Sequence, residues 1–314
     1  MNGRNRHNKY RRGVYKRRSI GTVLITAAVT LLIVFIVLTV IGNILHQQSR
    51  NRHQINNDTI DNTTNTPVFD TVNVPKINAY RVLLETSDSS VFSQRLDALK
   101  SQGATSVSIP LNDDSGTLLF KSENAALLGY NTGSKVTLSS AVESAKDGNV
   151  YISGVFKTNI FGIENKLARN IEIARLASII AEVLESGVND VIIVTPHLTS
   201  EHIGEVETLV SSIRRLTSKG AVGITVTDAI FKDESASATI SKLNSSVDFL
   251  ALDTSNFDDA DAAEFVESKI SSENMLYLHM YSFRLLLPYL SDEEAQASVI
   301  LAAGKGGINN WQII

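Results

Sequence analysis

The sequence predicts an α/β chain whose main body is a (β/α)8 TIM-like barrel, preceded by one transmembrane helix. Two observations carry the barrel. From Ala79 onward, eight short apolar runs alternate with longer stretches of helical periodicity, and the starts of those runs lie 27 to 44 residues apart. That spacing fits a strand, a loop, a helix and another loop. One observation carries the membrane helix: Ile20 to Gly42 is 23 residues without a charge. Such a run spans a hydrocarbon core of about 30 Å at about 1.5 Å per residue.

The chain reads as four segments. Residues 1–19 are a basic tail, with eight Lys and Arg and no acid among the first 18. By the positive-inside rule that end lies in the cytoplasm. Residues 20–45 are a signal anchor. The apolar run is longer than a signal-peptide core and ends in IGNILHQQSR, which offers no small-x-small cleavage site. Residues 46–76 are polar, rich in Asn and Thr, and form a stalk. Residues 77–314 form the barrel, placed outside the cell. Without the eight basic residues of the tail, 21 basic residues face 33 acidic ones, a net charge of −12. That balance argues against nucleic acid as the partner of the outer domain. The chain has no cysteine, so the domain relies on its core rather than on disulfides, and thiolate chemistry is excluded. Cysteine-free export fits a Gram-positive surface.

The predicted strands are 79–86, 106–113, 150–158, 190–197, 221–228, 248–254, 275–282 and 308–314. The clearest helix begins after Glu201, where Ile203, Val206, Val210, Ile213 and Leu216 recur at spacings of three and four and Gly220 is the stop. The helical stretch over 164–187 is apolar around much of its circumference and should be well covered. An open doubly wound sheet is the alternative architecture. No G-x-G-x-x-G and no P-loop opens a helix, which weakens its nucleotide-binding version.

A barrel places its functional groups at the C-terminal ends of its strands, and alternation decides which of them point inward. In SVSIPLND the helix-facing set is Val107, Ile109 and Leu111, with Asp113 in the same series; Ser106, Ser108, Pro110 and Asn112 face inward. Asp113 and Asp114 then read either as a turn with Ser115 and Gly116 or as ligand-binding acids. In DFLALDT, Leu250 and Leu252 face helices and Phe249, Ala251 and Asp253 face the axis. Asp253 is the best-placed catalytic carboxylate, with an end-of-strand cap as the plainer role. Asp228 falls on the outer series and caps the next segment. In MLYLHMYS, Tyr277, His279 and Tyr281 face in, where they could stack on and hydrogen-bond a sugar or simply fill the core. Lys157 and His197 end their own strands. No metal site is expected, because the histidines show no ligand spacing. No second inward acid accompanies Asp253, whereas a glycosidase uses two carboxyl groups about 5–9.5 Å apart. No G-x-S-x-G elbow is present either.

The stretch VSIPLNDDSGTLLFKSE resembles a glycoside hydrolase family of Firmicutes, whose barrels carry a strand ending like V-I-D-V-K-D-D-S-G. RLDALKSQGATSVSI resembles that family's first helix and second strand, and VYISGVFKT resembles, more weakly, its third strand. The resemblance implies an extracellular, often membrane-anchored TIM barrel with a carbohydrate substrate. Asp113 to Gly116 and Lys157 match its motifs. The family's inward Asp and Lys of strand two are Pro110 and Asn112 here, the arginine of its third strand is missing around Gly154, and an aspartate is replaced by Thr158. An Asp-Gly at the end of strand four is replaced by Thr195-Pro196. These departures fall on the rim, so the expectation is a degenerate member. It would use no cofactor and bind a cell-envelope glycan or protein through Asn112, Asp113, Asp114, Lys157, His197, Tyr277, His279 and Tyr281. An active hydrolase using Asp253 is the alternative, and a surface scaffold with its mouth plugged by Tyr277, Tyr281 and Trp311 is the third.

Overall fold

The computed structural model describes residues 74–84, 89–134, 136–146, 148–255, 262–271, 281 and 283–314. The chain divides into two compact units, Met1–Val68 and Phe69–Ile314, and the described residues all belong to the second. Among them no helix is long and apolar enough to cross a membrane. The expected anchor at 20–45, the tail and most of the stalk lie outside the described residues.

Eight parallel strands close in the order of the sequence, which excludes the open sheet. They are β1 (Asn78–Arg81), β2 (Ser106–Pro110), β3 (Tyr151–Lys157), β4 (Asp190–Val194), β5 (Ala221–Val226), β6 (Phe249–Asp253), β7 (Arg284–Leu287) and β8 (Trp311–Ile313). Helices return the chain between them: α1 (Ser89–Ser101), α2 (Ala125–Leu128), α3 (Leu138–Lys146), α4 (Lys166–Glu185), α5 (Ile203–Leu216), α6 (Asp228–Phe231), α7 (Ala236–Ser246), α8 (Ala262–Ser271) and α9 (Glu293–Lys305). The last strand pairs with the first, Asn78 opposite Trp311 and Ala79 opposite Gln312.

Two apolar layers result from the alternation. The outer one packs Val107, Ile109, Leu111, Leu250 and Leu252 against the helices. The inner one fills the barrel with Val155, Ile192, Val194, Phe249, Ala251 and Leu286. Gly223 faces this interior because Phe249 needs the space: a Cβ there would lie 2.4 Å from its ring. Val74, at the end of the expected stalk, packs against the same inner cluster. Trp311 belongs to the outer layer, edge-on to Tyr80 at 5.4 Å, so it does not plug the mouth.

Three sequence expectations need correction. The seventh strand is Arg284–Leu287, not 275–282. Both runs are apolar, but only the later one carries Arg284, which the interior needs as the partner of buried Asp190. Helix α5 ends at Leu216, with Thr217 turning to extended backbone, and Gly220 at φ 61 lies in the loop beyond. Not every departure from the resembled family falls on the rim: Gly154 lies between Ile152 and Phe156 on the outer, helix-facing side of β3. Helix α4, by contrast, buries eight side chains, as its apolar circumference requires.

Candidate functional site

The C-terminal ends of the strands form a cleft of about 470 Å³, bordered by Asn112, Asp114, Lys157, Pro196 and Asp253 among others. Going round the barrel, the last inward side chains are Arg81, Asn112, Lys157, Val194, Thr225, Asp253, Leu286 and Ile314. Among the described residues, Asp253 is the one carboxylate in that ring.

Each acid at the mouth has a structural commitment. Beyond β2 the chain turns at 113–116 and runs back antiparallel to itself, with Asn112 opposite Leu118. Asp113 closes this turn. Its Oδ1 accepts from Ser115 N at 2.9 Å, Ser115 Oγ at 2.6 Å and Thr117 N at 2.9 Å, and its carbonyl accepts from Gly116 N at 3.0 Å. Gly116 sits at φ 83, where a side chain would be strained. The Ser115 hydroxyl, then the Thr117 amide, holds the Asp113 carboxyl below the usual carboxylate range. Asp114 is 90% exposed and pairs with Lys157 Nζ at 3.2 Å. Glu172 accepts from Tyr130 Oη at 3.0 Å, and burial together with that carboxylate pushes the Tyr130 phenol far up, so it stays a donor.

Asp253 repeats the Asp113 pattern. Its Oδ1 accepts from Ser255 N at 2.8 Å and from Ser255 Oγ at 2.6 Å, while its Oδ2 takes no hydrogen bond from a described residue. The chain behind it is pinned, because the Thr254 hydroxyl donates to Leu286 O at 2.7 Å. Asp253 also borders a second hollow of about 350 Å³, shared with Thr195, Thr227, Asp228 and Lys269. The Thr195 hydroxyl is buried there without a partner. Asp228 opens α6 and pairs with Lys269 on α8, so it belongs to the outer structure.

The Asn112 amide clamps the β3 backbone, donating to Lys157 O at 2.8 Å and accepting from Lys157 N at 2.9 Å. It borders the cleft with both halves of its amide already used. His197 lies in an exposed turn after β4 and does not border the cleft. Tyr281 is in a turn rather than on a strand, packed against the outer cluster. Tyr277 and His279 lie outside the described residues. Among the described residues, no three His, Asp or Glu side chains gather as a metal site.

Arg81 and Thr195 join the mouth without having stood out in the sequence. The signal for Arg81 was present: it lies two residues after Ala79 on the inward face of β1 and is the last residue of that strand. Its Nε is buried without a partner, and its guanidinium carbon lies 4.7 Å from the centre of the Tyr289 ring.

No protein-family model matches the chain, and no curated protein matches it. Solved structures match in shape. A protein described as an alpha-L-fucosidase from Bacteroides thetaiotaomicron is similar at 10% identity, over 81% of this chain and 91% of its own, with a TM-score of 0.51. The chain is a TIM barrel. The catalytic domain of a mannanase from a Streptomyces species is similar at 11% identity, over 82% and 85%, with a TM-score of 0.47. A protein named as an aldolase matches at 14% identity, over 77% and 91%, with a TM-score of 0.44. At such identities the likeness is one of fold alone.

Proposed function

We propose that the mouth of this barrel binds a cell-envelope saccharide without hydrolysing it, and that residues 20–45 anchor the barrel outside the cell. The observation that carries the binding reading is the ring of inward side chains. Asn112, Lys157 and Asp253 border a cleft of about 470 Å³, Arg81 ends β1 on the same inward ring, and of the acids lining the cleft (Asp113, Asp114, Glu172 and Asp253) only Asp253 stands at an inward strand position. A saccharide presents hydroxyl groups that Lys157 and Asp253 can bond, whereas hydrolysis uses two carboxyl groups about 5–9.5 Å apart. The basic tail and the uncharged 23-residue run support the anchoring. The shared fold with glycoside hydrolases, and the Asp113 to Gly116 motif, agree with a carbohydrate ligand by analogy.

One observation favours a second reading, an active glycoside hydrolase. Asp253 Oδ2 takes no hydrogen bond from a described residue, and Asp258, Asp259 and Asp261 come soon after it in sequence. The two readings separate on a glycan array probed with the full-length chain, with product analysis for each glycan bound. Binding without new reducing ends is expected. Turnover that Asp253→Asn abolishes establishes the hydrolase instead, and an array with no bound glycan removes both.

A further inference from the structure

We propose that Arg81, with Lys157, receives an anionic group, so that the saccharide taken at the mouth is an acidic one carrying carboxylate or phosphate. This rests on the saccharide-binding reading and narrows its ligand class.

Four features of Arg81 point there. It ends β1 facing the barrel mouth, where a TIM barrel takes its ligands. Its guanidinium makes no hydrogen bond and no ion pair to a described residue, and its Nε is buried without an acceptor. A buried donor left open in this way is rare, and a ligand oxygen would satisfy it. The Tyr289 ring, itself 53% exposed, lies 4.7 Å from the guanidinium carbon and holds the plane of the fork in place. That leaves the side-on edge, Nε with one terminal nitrogen, matched to two oxygens of a carboxylate or phosphate. Burial lowers the Arg81 pKa while Tyr289 and Asp114 raise it, and the group stays charged.

Lys157 supplies the second cation, two strands away on β3. Its partner Asp114 is 90% exposed and also attracts Arg81. Asp114 therefore stands where an external anion would act on both cations. An exposed ion pair of this kind is weak, so a ligand anion can displace it. The outer domain is acidic as a whole, so attraction for an anion has to be local, and it should weaken as salt screens it.

The test uses the full-length chain and three probes: tetragalacturonic acid, poly(glycerol phosphate) and neutral cellotetraose, each titrated by calorimetry at low and high salt. At least one acidic probe should bind about tenfold or more tightly than the neutral one, and lose that margin at high salt. The acidic probe that binds identifies carboxylate or phosphate as the source. Arg81→Gln should remove the margin, costing the acidic probe more affinity than the neutral one, while the melting temperature holds, and Arg81→Lys should restore it only in part. Asp114→Asn should tighten the acidic probe severalfold, because a competing carboxylate is gone. Equal affinity for acidic and neutral probes overturns the assignment but keeps saccharide binding, as does an Asp114→Asn chain that binds the acid no better. Binding of none of the three overturns both. If Arg81→Gln fails to fold, Lys157→Gln and Asp114→Asn, both at exposed positions, still decide the matter.

Discussion

At the scale of single residues, three aspartates share one device. Asp113, Asp233 and Asp253 each accept from both the amide and the hydroxyl of the serine two positions on. An Asp-x-Ser sequence closes its own turn because the short side chain reaches the backbone it belongs to. So the Asp-Asp-Ser-Gly stretch, which resembles a family motif, has a local physical task independent of any substrate. The same is true of Asn112, whose inward placement was legible from alternation but whose bonds to the Lys157 backbone were not, since they depend on a strand 45 residues away. The Asp113 turn yields a pH prediction. Its hydrogen bonds favour the carboxylate, so its folded pKa lies below the unfolded value of about 3.9. The turn's contribution is then complete above that value and is lost as pH falls through the lower folded one. The Thr117 amide resonance, tracked by NMR from pH 6 to pH 2, should titrate with a midpoint below about 3.9. Ser115→Ala should move the midpoint up, because it removes the strongest bond to the carboxylate; an unmoved midpoint means that the Ser115 hydroxyl does not hold the charge.

At the scale of elements, periodicity located seven of the eight strands, since burial on two faces imposes it wherever apolar residues dominate. It failed at β7, where the decisive residue is a charge. Arg284 looks unsuited to a strand until its partner on β4 is known, and nothing local announces a pairing 94 residues apart. Helix α5 shows a similar split. Its apolar stripe was visible, and Val206, Leu209, Val210 and Ile213 are buried. Its entry was not, because it is set by a short 3-10 turn, Ser200–His202, capped reciprocally by Thr199 and His202. His202 Nδ1 accepts from Thr199 N at 3.2 Å and lies 3.0 Å from the Thr199 hydroxyl, with Phe161 against the ring at 5.0 Å. Burial lowers the His202 pKa, with the nearby Glu205 working against it. Because the neutral ring is the acceptor, the cap is intact above the unfolded value of about 6.5 and is lost as pH falls through the lowered folded value. Thr199→Ala should cost about 1 kcal/mol at pH 7.5, measured by urea unfolding. That loss should shrink as pH falls through the lowered folded value, below which His202 is charged in both proteins. A loss independent of pH would mean that the imidazole is no part of the cap.

At the scale of the whole molecule, the barrel separates a buried polar network from the cleft at its mouth along its axis. The N-terminal half of the interior holds a polar network where an ordinary barrel holds branched apolar layers. Arg284 and Asp190, both wholly buried, pair at 2.9 Å. Tyr151 Oη donates to Asp190 at 2.8 Å, the Ser153 hydroxyl also bonds it, and Gln312 links Ser153 to Ser108 across the barrel. Burial and Asp190 together push the Tyr151 phenol far up, which keeps it a donor. The network is incomplete, since Arg284 Nε and Nη2 are buried without partners and the guanidinium lies instead over the Phe249 ring at 4.3 Å. A buried pair with good geometry but unmet donors contributes little net stability over an apolar replacement, yet breaking it is expensive. Asp190→Leu, which leaves the Arg284 charge uncompensated, should therefore cost about 3–5 kcal/mol, and Arg284→Met, which strands the carboxylate, a similar amount. The double replacement Asp190→Leu with Arg284→Met should recover most of that loss, because no buried charge remains to be solvated. Urea unfolding of the four proteins measures the cycle. Additive losses would mean that the two side chains act separately and that the network has another anchor. On the proposed saccharide-binding reading, affinity should be the same in the double variant as in the parent, since the mouth is built from the opposite ends of the strands.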